Sequence, residues 1–596
     1  MPSMMNSFHF WQAVTFLKNL PRFYFAAKAM LNQTILPTRL HVRLAADWLL
    51  KAQHHSADGG YSRLYCLYSG WDESYIETTG YIVPTLLEAA AYLHDPRYED
   101  SALRAGRWLL SMQQPNGAFT DIDARAPQAF DTGQVITGLI CLFERTGDER
   151  YLSAARRAGS WLVQIQDGDG SWTTFGYLKR PHAYYSKVSA ALFDLWRVTG
   201  NSQYADSALK NLDWTLAQQQ KNGFFRHSEF SQGEPPYLHT IIYTLEGLLS
   251  ASRITGETRF FHAALKGAEQ LKALNLARDL ILFSQYDDRW KPTNKEKCTT
   301  GLAQWALLCL RIHQMTQDID YLHLAGRTIY YLKSKQIRTK GDLEGSLPSS
   351  VPFWGRYGGM KFMNWNTKYF LDALLSWDKL GNETWQEHET WVSSCFSFSS
   401  HLVGEHLSDT DLLYLRTVKN MLAAHSQRCM TYLDLGCGKG KHLRYIKRQY
   451  PHWNVIGIDP IFECRDLNIK RGSAYSIPLA DDSVDVIVCF EVLQHIADIE
   501  RVLEEMRRVL RKPGFLLIAD RCPISGFGLL KPFLELGGIW MYPWDSPFRE
   551  RWYSSSHWRR LLSAGGFCVD SIETAGSPCS TVARGLHRYY LIYCSL

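Results

Sequence analysis

The chain has 596 residues, with 65 Lys and Arg against 59 Asp and Glu, a formal charge of +6. That length exceeds what one hydrophobic core organises, so two or more domains are expected. So small a charge excess leaves no electrostatic footprint for nucleic acid, and no such partner is expected. The 13 cysteines form no C-x-x-C pair and mostly sit among apolar neighbours, as Cys141, Cys309 and Cys489 do. Reduced core thiols, a cytoplasmic protein and no metal site are the reading. No run of about 18 apolar residues is present, so no transmembrane segment is expected.

Residues 1–38 form an amphipathic segment that is aromatic and basic (Trp11, Lys18, Arg22, Phe23, Tyr24, Lys28). It lacks the uninterrupted apolar core of a signal peptide. A helix capping the first domain and a helix making peripheral contact with a membrane surface both fit it.

From 39 to 392 one pattern recurs. Its clearest copy has Trp161, Leu162, Gln166, Gly170 and Trp172; others have Trp108, Gln113 and Gly117, then Trp48, Gln53 and Gly60, then Trp214, Gln218 and Gly223. The tryptophans are 60, 53 and 53 residues apart, and weaker copies centre on Leu271 and Tyr331. Each unit holds two apolar-periodic segments around a Gly/Asp/Asn turn, a helical hairpin of about 55 residues. The string at 161–172 resembles the QW repeat of terpenoid cyclases, and the region resembles all-α (α/α)6 toroids, a fold shared with many carbohydrate-active enzymes.

The resemblance implies that inner helices begin at one mouth, which makes the polar residues at those starts the candidates for chemistry. Glu77 and Asp131 fit an acid/base pair for glycoside chemistry, and His182, Tyr184, His239 and Arg356 fit a lyase or epimerase. Trp71, Tyr75, Tyr237, Trp354 and Trp365 fit stacking on sugar rings or a packed core equally. Thr or Asp before an apolar helix also serves as an ordinary N-cap, and a histidine as a structural residue. The cyclase acid motif Asp-x-Asp-Asp meets only Asp121-Ile122-Asp123-Ala124 here, so the proton donor of isoprenoid chemistry is not evident.

The repeat dies out in a Ser-rich linker, 393–410. Beyond it, from 411 to 596, short apolar strands at 432–435, 455–458, 484–490 and 515–519 alternate with helices at 441–450 and 499–510, which reads as a doubly wound parallel sheet. A strand ending in Asp434 runs into Gly436, Gly438 and Gly440 and then a helix, a context for ligand binding against bare backbone. Asp459 ends the next strand, 25 residues on, near where a carboxylate takes ribose hydroxyls. Gly472 to Pro478 leads through Asp481 and Asp482 into the strand and turn 484–495. A lone glycine turn also suits an NAD-binding domain. The ordered set resembles the class I S-adenosylmethionine-dependent methyltransferases, a Rossmann-like fold.

That resemblance implies S-adenosylmethionine as cofactor, with Asp434 and the backbone of Gly436, Gly438 and Gly440 at its methionine part. It further implies Asp459 at the ribose, Ser473 and Ala474 at the adenine, and Phe490 and Glu491 beside the methyl. Ser473 stands where the family commonly has Asp, so a weaker acceptor meets the adenine amino group. An alcohol acceptor needs a base, for which His495, Asp520 and His557 are the candidates, each with a packing role as the plain alternative. An aromatic insertion (Phe527, Phe533, Trp540, Tyr542, Trp544, Phe548, Trp552) fits a lid or an interface. The whole reads as an O-directed methyltransferase acting on a sugar or other small molecule, fused to a toroid that binds or processes a glycan. The alternative is a toroid serving isoprenoids or recognition alone, with a secondary metabolite as methyl acceptor.

Overall fold

The computed structural model describes residues 35–123, 125–277, 281–380, 409–423, 428–496, 498–521, 554–576 and 588–596. The basic and aromatic stretch 8–31, most of the linker and the aromatic insertion lie outside the described residues. The chain separates into two compact units, Met1–Thr384 and Trp385–Leu596.

The first unit is built from twelve helices among the described residues: α1 Thr38–Ser56, α2 Ile76–Leu93, α3 Pro96–Met112, α4 Ala129–Thr146, α5 Glu149–Gln164, α6 Ser186–Thr199, α7 Ser202–Ala217, α8 Leu238–Thr255, α9 Thr258–Ala277, α10 Thr299–Thr316, α11 Ile319–Lys333 and α12 Asn364–Lys379. The even-numbered helices pack each against the next, and α12 packs back against α2, which closes an inner ring. They are apolar around most of their circumference, as α8 and α10 show, because they are covered on every side. Outer helices bury one stripe only; α3 buries Tyr98, Ala102, Ala105 and Leu109 and leaves its charges outside.

Local chemistry sets the hairpins. Inner helices end on left-handed glycines such as Gly147, Gly200 and Gly256, and outer helices start on Asp95, Asp148, Asn201 or Asp318, whose side chains accept an amide of the first turn. Five hairpins are consecutive in sequence. The sixth pairs α12 with α1, the two ends of the unit.

The repeat has a direct structural cause. Gln166 Nε2 donates to Gly170 O at 3.0 Å in its own turn and to Ser207 O at 2.9 Å on the next outer helix. Gln53 reaches Ser101 O, Gln113 reaches Ala154 O, and Gln336 reaches His41 O on α1 in the same way. In the fourth copy the structure corrects the expected residue: Gln219 bridges to Ala263 O at 2.8 Å, while Gln218 donates to Trp214 O within its own helix. Five residues separate Trp161 from Gln166 and Trp214 from Gln219, so Gln219 keeps the helical phase. Gly170 is obligatory because its φ is +92° and a Cβ there would sit 2.4 Å from Lys210 O.

The second unit holds a seven-stranded sheet of β1 Thr431–Leu435, β2 Asn454–Asp459, β3 Ile469–Arg471, β4 Val484–Phe490, β5 Leu510–Arg521, β6 Cys568–Gly576 and β7 Arg588–Ser595. Their order is β3-β2-β1-β4-β5-β7-β6, parallel except for β7. The helices are α13 Asp409–Leu422, α14 Lys441–Gln449, α15 Ile499–Val509 and α16 Ser555–Ala564. Strand alternation splits the core between the faces. Leu433, Ile487, Cys489 and Ile518 pack with α15 and α16, and Tyr432, Val486, Val488 and Leu517 pack with α13 and α14. The chain reverses its strand order between β1 and β4, the switch point where open α/β sheets bind ligands.

Candidate functional site

At the switch point β1 ends in Asp434 and turns through three glycines of positive φ, Gly436, Gly438 and Gly440. Gly436 N donates to Ile458 O at 2.7 Å, locking the turn onto β2. A Cβ at Gly436 would lie 2.3 Å from Val492, whereas nothing lies within 4 Å of one at Gly438. The first glycine is there for packing and the second presents bare backbone to open space. Gly438 N also donates to Asp459 Oδ2 at 2.9 Å. Asp459 Oδ1 accepts from Ile461 N and Phe462 N, so the carboxylate is held rigid across the cleft.

Burial pushes the Asp459 carboxyl above its usual range against three opposing backbone amides. Burial also pushes Asp434 up to about 6, opposed by the charges of His442 and Lys441. Ser473 Oγ accepts from Tyr475 N at 3.1 Å, which fixes the short turn after β3 that carries Ser473 and Ala474. Beyond Phe490, Glu491 is held at φ +55°, a conformation uncommon for a residue with a side chain and concentrated at functional sites.

In the first unit the loops before the inner helices meet at one mouth. Backbone bonds stitch neighbouring loops: Ala129 N to Phe175 O, Ala183 N to His227 O, Leu238 N to Ser284 O, Thr299 N to Ser349 O and Asn364 N to Arg63 O. Between the loops before α2 and α4 the described residues are joined through side chains instead, Arg63 to Asp123 at 2.6 Å and Tyr75 to Asp121 at 3.1 Å. Glu77 and Asp131 lie at this seam. Glu77 keeps part of its surface open, and burial still dominates its carboxyl. Burial drives it to about 7 against hydrogen bonds from Tyr75 and Tyr81. Asp131 is pushed well above the carboxylate range by burial and then by the charges of Glu77 and Asp121. Its Oδ2 is buried with no hydrogen-bond partner among the described residues.

An aromatic belt leads away from the seam. Tyr75 packs on Trp365 (6.4 Å), Trp365 Nε1 donates to the Tyr357 hydroxyl (2.9 Å), and Tyr357 meets Tyr237 (5.0 Å), Phe230 (6.1 Å from Tyr237) and Tyr177 (5.9 Å from Phe230) in turn. His182 is committed elsewhere: Nδ1 lies 3.1 Å from Glu229 O and Nε2 2.9 Å from Tyr177 O, and the neutral ring that burial favours donates to one of these two loop carbonyls. His239 bonds Gln304 through Nδ1 at 2.8 Å, and burial pulls it down to about 4, leaving a neutral imidazole. Tyr184 is buried between His182 and Phe130.

Residues 433–518 match the family model described as "Methyltransferase domain". The second unit carries a methyltransferase domain. Its curated relatives include a demethylmenaquinone methyltransferase of Thermotoga maritima, 34% identical over 99 residues (15% of this chain, 43% of the relative). A malonyl-[acyl-carrier protein] O-methyltransferase of Xylella fastidiosa is 32% identical over 127 residues, 20% of this chain and 42% of the relative. The chain thus spans less than half the length of these relatives. Among solved structures, an unsaturated glucuronyl hydrolase specific for heparin aligns with 58% of this chain and 97% of its own, at 15% identity and a TM-score of 0.48.

Within the methyltransferase domain, the three candidate bases come from separate elements at the sheet edge that carries the glycine turn. Asp520 follows Ala519, the β5 partner of Phe490, and is buried. His495 lies in a short turn after β4, and His557 in the first turn of α16. Sequence reading missed Tyr414 and His442, whose rings pack on Phe490 at 4.5 and 5.1 Å. Tyr414 precedes every glycine-turn signal. His442, two residues past Gly440, was legible as the buried face of α14.

Proposed function

We propose that the chain transfers a methyl group from S-adenosylmethionine to a hydroxyl of a small molecule or sugar, and that the helical ring binds or processes a glycan. The carrying observation is the bare backbone of Gly438 bonded to Asp459 at the switch point. When bound, S-adenosylmethionine supplies a sulfonium methyl that needs little activation, so alignment of the acceptor is the domain's main task. Asp434, Gly436, Gly438 and Gly440 would hold the aminocarboxyl end, Asp459 the ribose hydroxyls, Ser473 and Ala474 the adenine edge, and Phe490 with Glu491 the wall beside the methyl. His495, tested first, or Asp520 or His557 would take the acceptor's proton.

For the ring, the aromatic belt beside two carboxyls of raised pKa suits stacked, hydroxyl-rich rings, with Glu77 and Asp131 as the acid/base pair. A buried carboxylic acid among aromatic rings equally supports a second reading, an isoprenoid ligand protonated at Asp131. Free buried thiols at Cys298, Cys309 and Cys489 support a reducing compartment such as the cytoplasm.

Incubation with radiolabelled S-adenosylmethionine and a cell extract, followed by identification of the labelled product, tests the reading. A labelled glycan or other hydroxyl compound is expected. No heat on titrating S-adenosylmethionine, with Asp459→Ala behaving as the parent, overturns it.

A further inference from the structure

We propose that Tyr414, carried by α13 rather than by the sheet, is a positioning residue of the methyl-donor site, acting through Phe490 and Asp434 on the aminocarboxyl end of the donor. This rests on the donor reading above.

Tyr414 is almost fully buried and its ring packs on Phe490 at 4.5 Å and on His442 at 5.3 Å, while His442 meets Phe490 edge-on at 5.1 Å. Three elements, α13, α14 and the end of β4, therefore close one aromatic triangle. All three rings lie on the sheet face that also carries Tyr432 and Asp434. A wedge there fixes where Phe490 stands beside the glycine turn.

The polar atoms say more. The Tyr414 and Tyr432 hydroxyls lie within hydrogen-bonding reach of each other in the buried face, and Asp434 Oδ2 beside them is buried with no hydrogen-bond partner among the described residues. The Asp434 carboxylate acts on both phenols, so the three groups are neighbours. Burying a carboxylate oxygen without a partner is costly, and an apolar face of equal shape would have been cheaper. Two phenols are donors and one carboxylate is an acceptor, so one phenol can donate to the other and the second to Asp434. Such donors hold the Asp434 carboxylate in one orientation and favour its anion, the form that pairs with an ammonium group. The aminocarboxyl end of the donor carries that ammonium, and Asp434 begins the turn that would receive it.

The test compares two ligands on the full chain by calorimetric titration. S-adenosylhomocysteine carries the aminocarboxyl arm, and 5′-methylthioadenosine keeps adenine, ribose and sulfur without it. Tyr414→Phe retains the ring and removes the hydroxyl. It is expected to weaken S-adenosylhomocysteine about tenfold while methylthioadenosine binds as to the parent. Tyr414→Leu, which removes the wedge, is expected to weaken both. Equal effects of Tyr414→Phe on the two ligands, or none on either, overturn the proposal. Should Tyr414→Phe fail to fold, Tyr432→Phe carries the same expected split and the same overturning result. A parent chain that binds neither ligand overturns the donor reading itself, and this inference with it.

Discussion

Gly436 and Gly438 sit two residues apart with positive φ, yet a methyl group at each would act differently. At Gly436 it meets Val492 at 2.3 Å, and at Gly438 it meets nothing. Gly436→Ala is therefore expected to lower the stability of the methyltransferase domain by about 2 kcal/mol or more, the sum of steric and left-handed costs. Gly438→Ala is expected to cost about 1 kcal/mol and to abolish donor binding, because its Cβ occupies the ligand's side of the turn. Thermal unfolding and calorimetric titration of the two variants separate these outcomes.

Glu77 makes a pH prediction at the same scale. Its folded carboxyl titrates at about 7 against an ordinary 4.5, so the folded ring binds more protons than the unfolded chain between those values. Stability of the ring then falls as pH rises through that window, and the raised Asp131 carboxyl beside it adds to the fall. Glu77→Gln is expected to flatten the slope and to unfold at higher temperature than the parent at about pH 8. A thermal-unfolding series from about pH 5 to 8 reads both effects.

Among elements, the glutamine bridges decide how the outer helices hold together. Gln219→Ala removes the bond from one outer helix to the next, and is expected to destabilise the ring by about 1–3 kcal/mol, since partly buried carbonyls lose their donor. Gln218→Ala is expected to change it by no more than about 0.5 kcal/mol. The pair is a sensitive check, because adjacent residues in one sequence repeat are assigned opposite weights. It also marks where sequence reading stopped: the Trp period gave the hairpins, but only helical phase tells which of two glutamines faces the neighbour. The polar starts of the inner helices were legible as positions and not as roles. Thr79, Thr132 and Thr367 accept amides of the preceding loops, and His182 sits between two loop carbonyls. The glycine turn was readable because its chemistry is local in sequence. Tyr414 was not, because its place beside Phe490 arises only when α13 folds onto the sheet face that carries Tyr432.

At the scale of the whole molecule, two units with separate cores should respond separately to ligands. Binding at a hundred times the dissociation constant stabilises a folded unit by about 2.7 kcal/mol. S-adenosylmethionine at that excess is expected to raise the unfolding temperature of the second unit and leave the first unchanged in differential scanning calorimetry. A glycan that binds the mouth should do the reverse.

The sixth hairpin of the ring joins α12 to α1, and Gln336 is bonded to His41 across 295 residues of sequence. A ribosome emits α1 before the rest of the ring; it meets α3 early, where Gln53 bonds Ser101 O, but its hairpin partner α12 is made last. Closure of so long a loop is entropically slow. The nascent ring is thus an open arc with one partly uncovered apolar flank at each end until α12 meets α1. A circular permutant that starts at α2 and places α1 after α12 would make the last hairpin contiguous and should refold faster while keeping the same mouth.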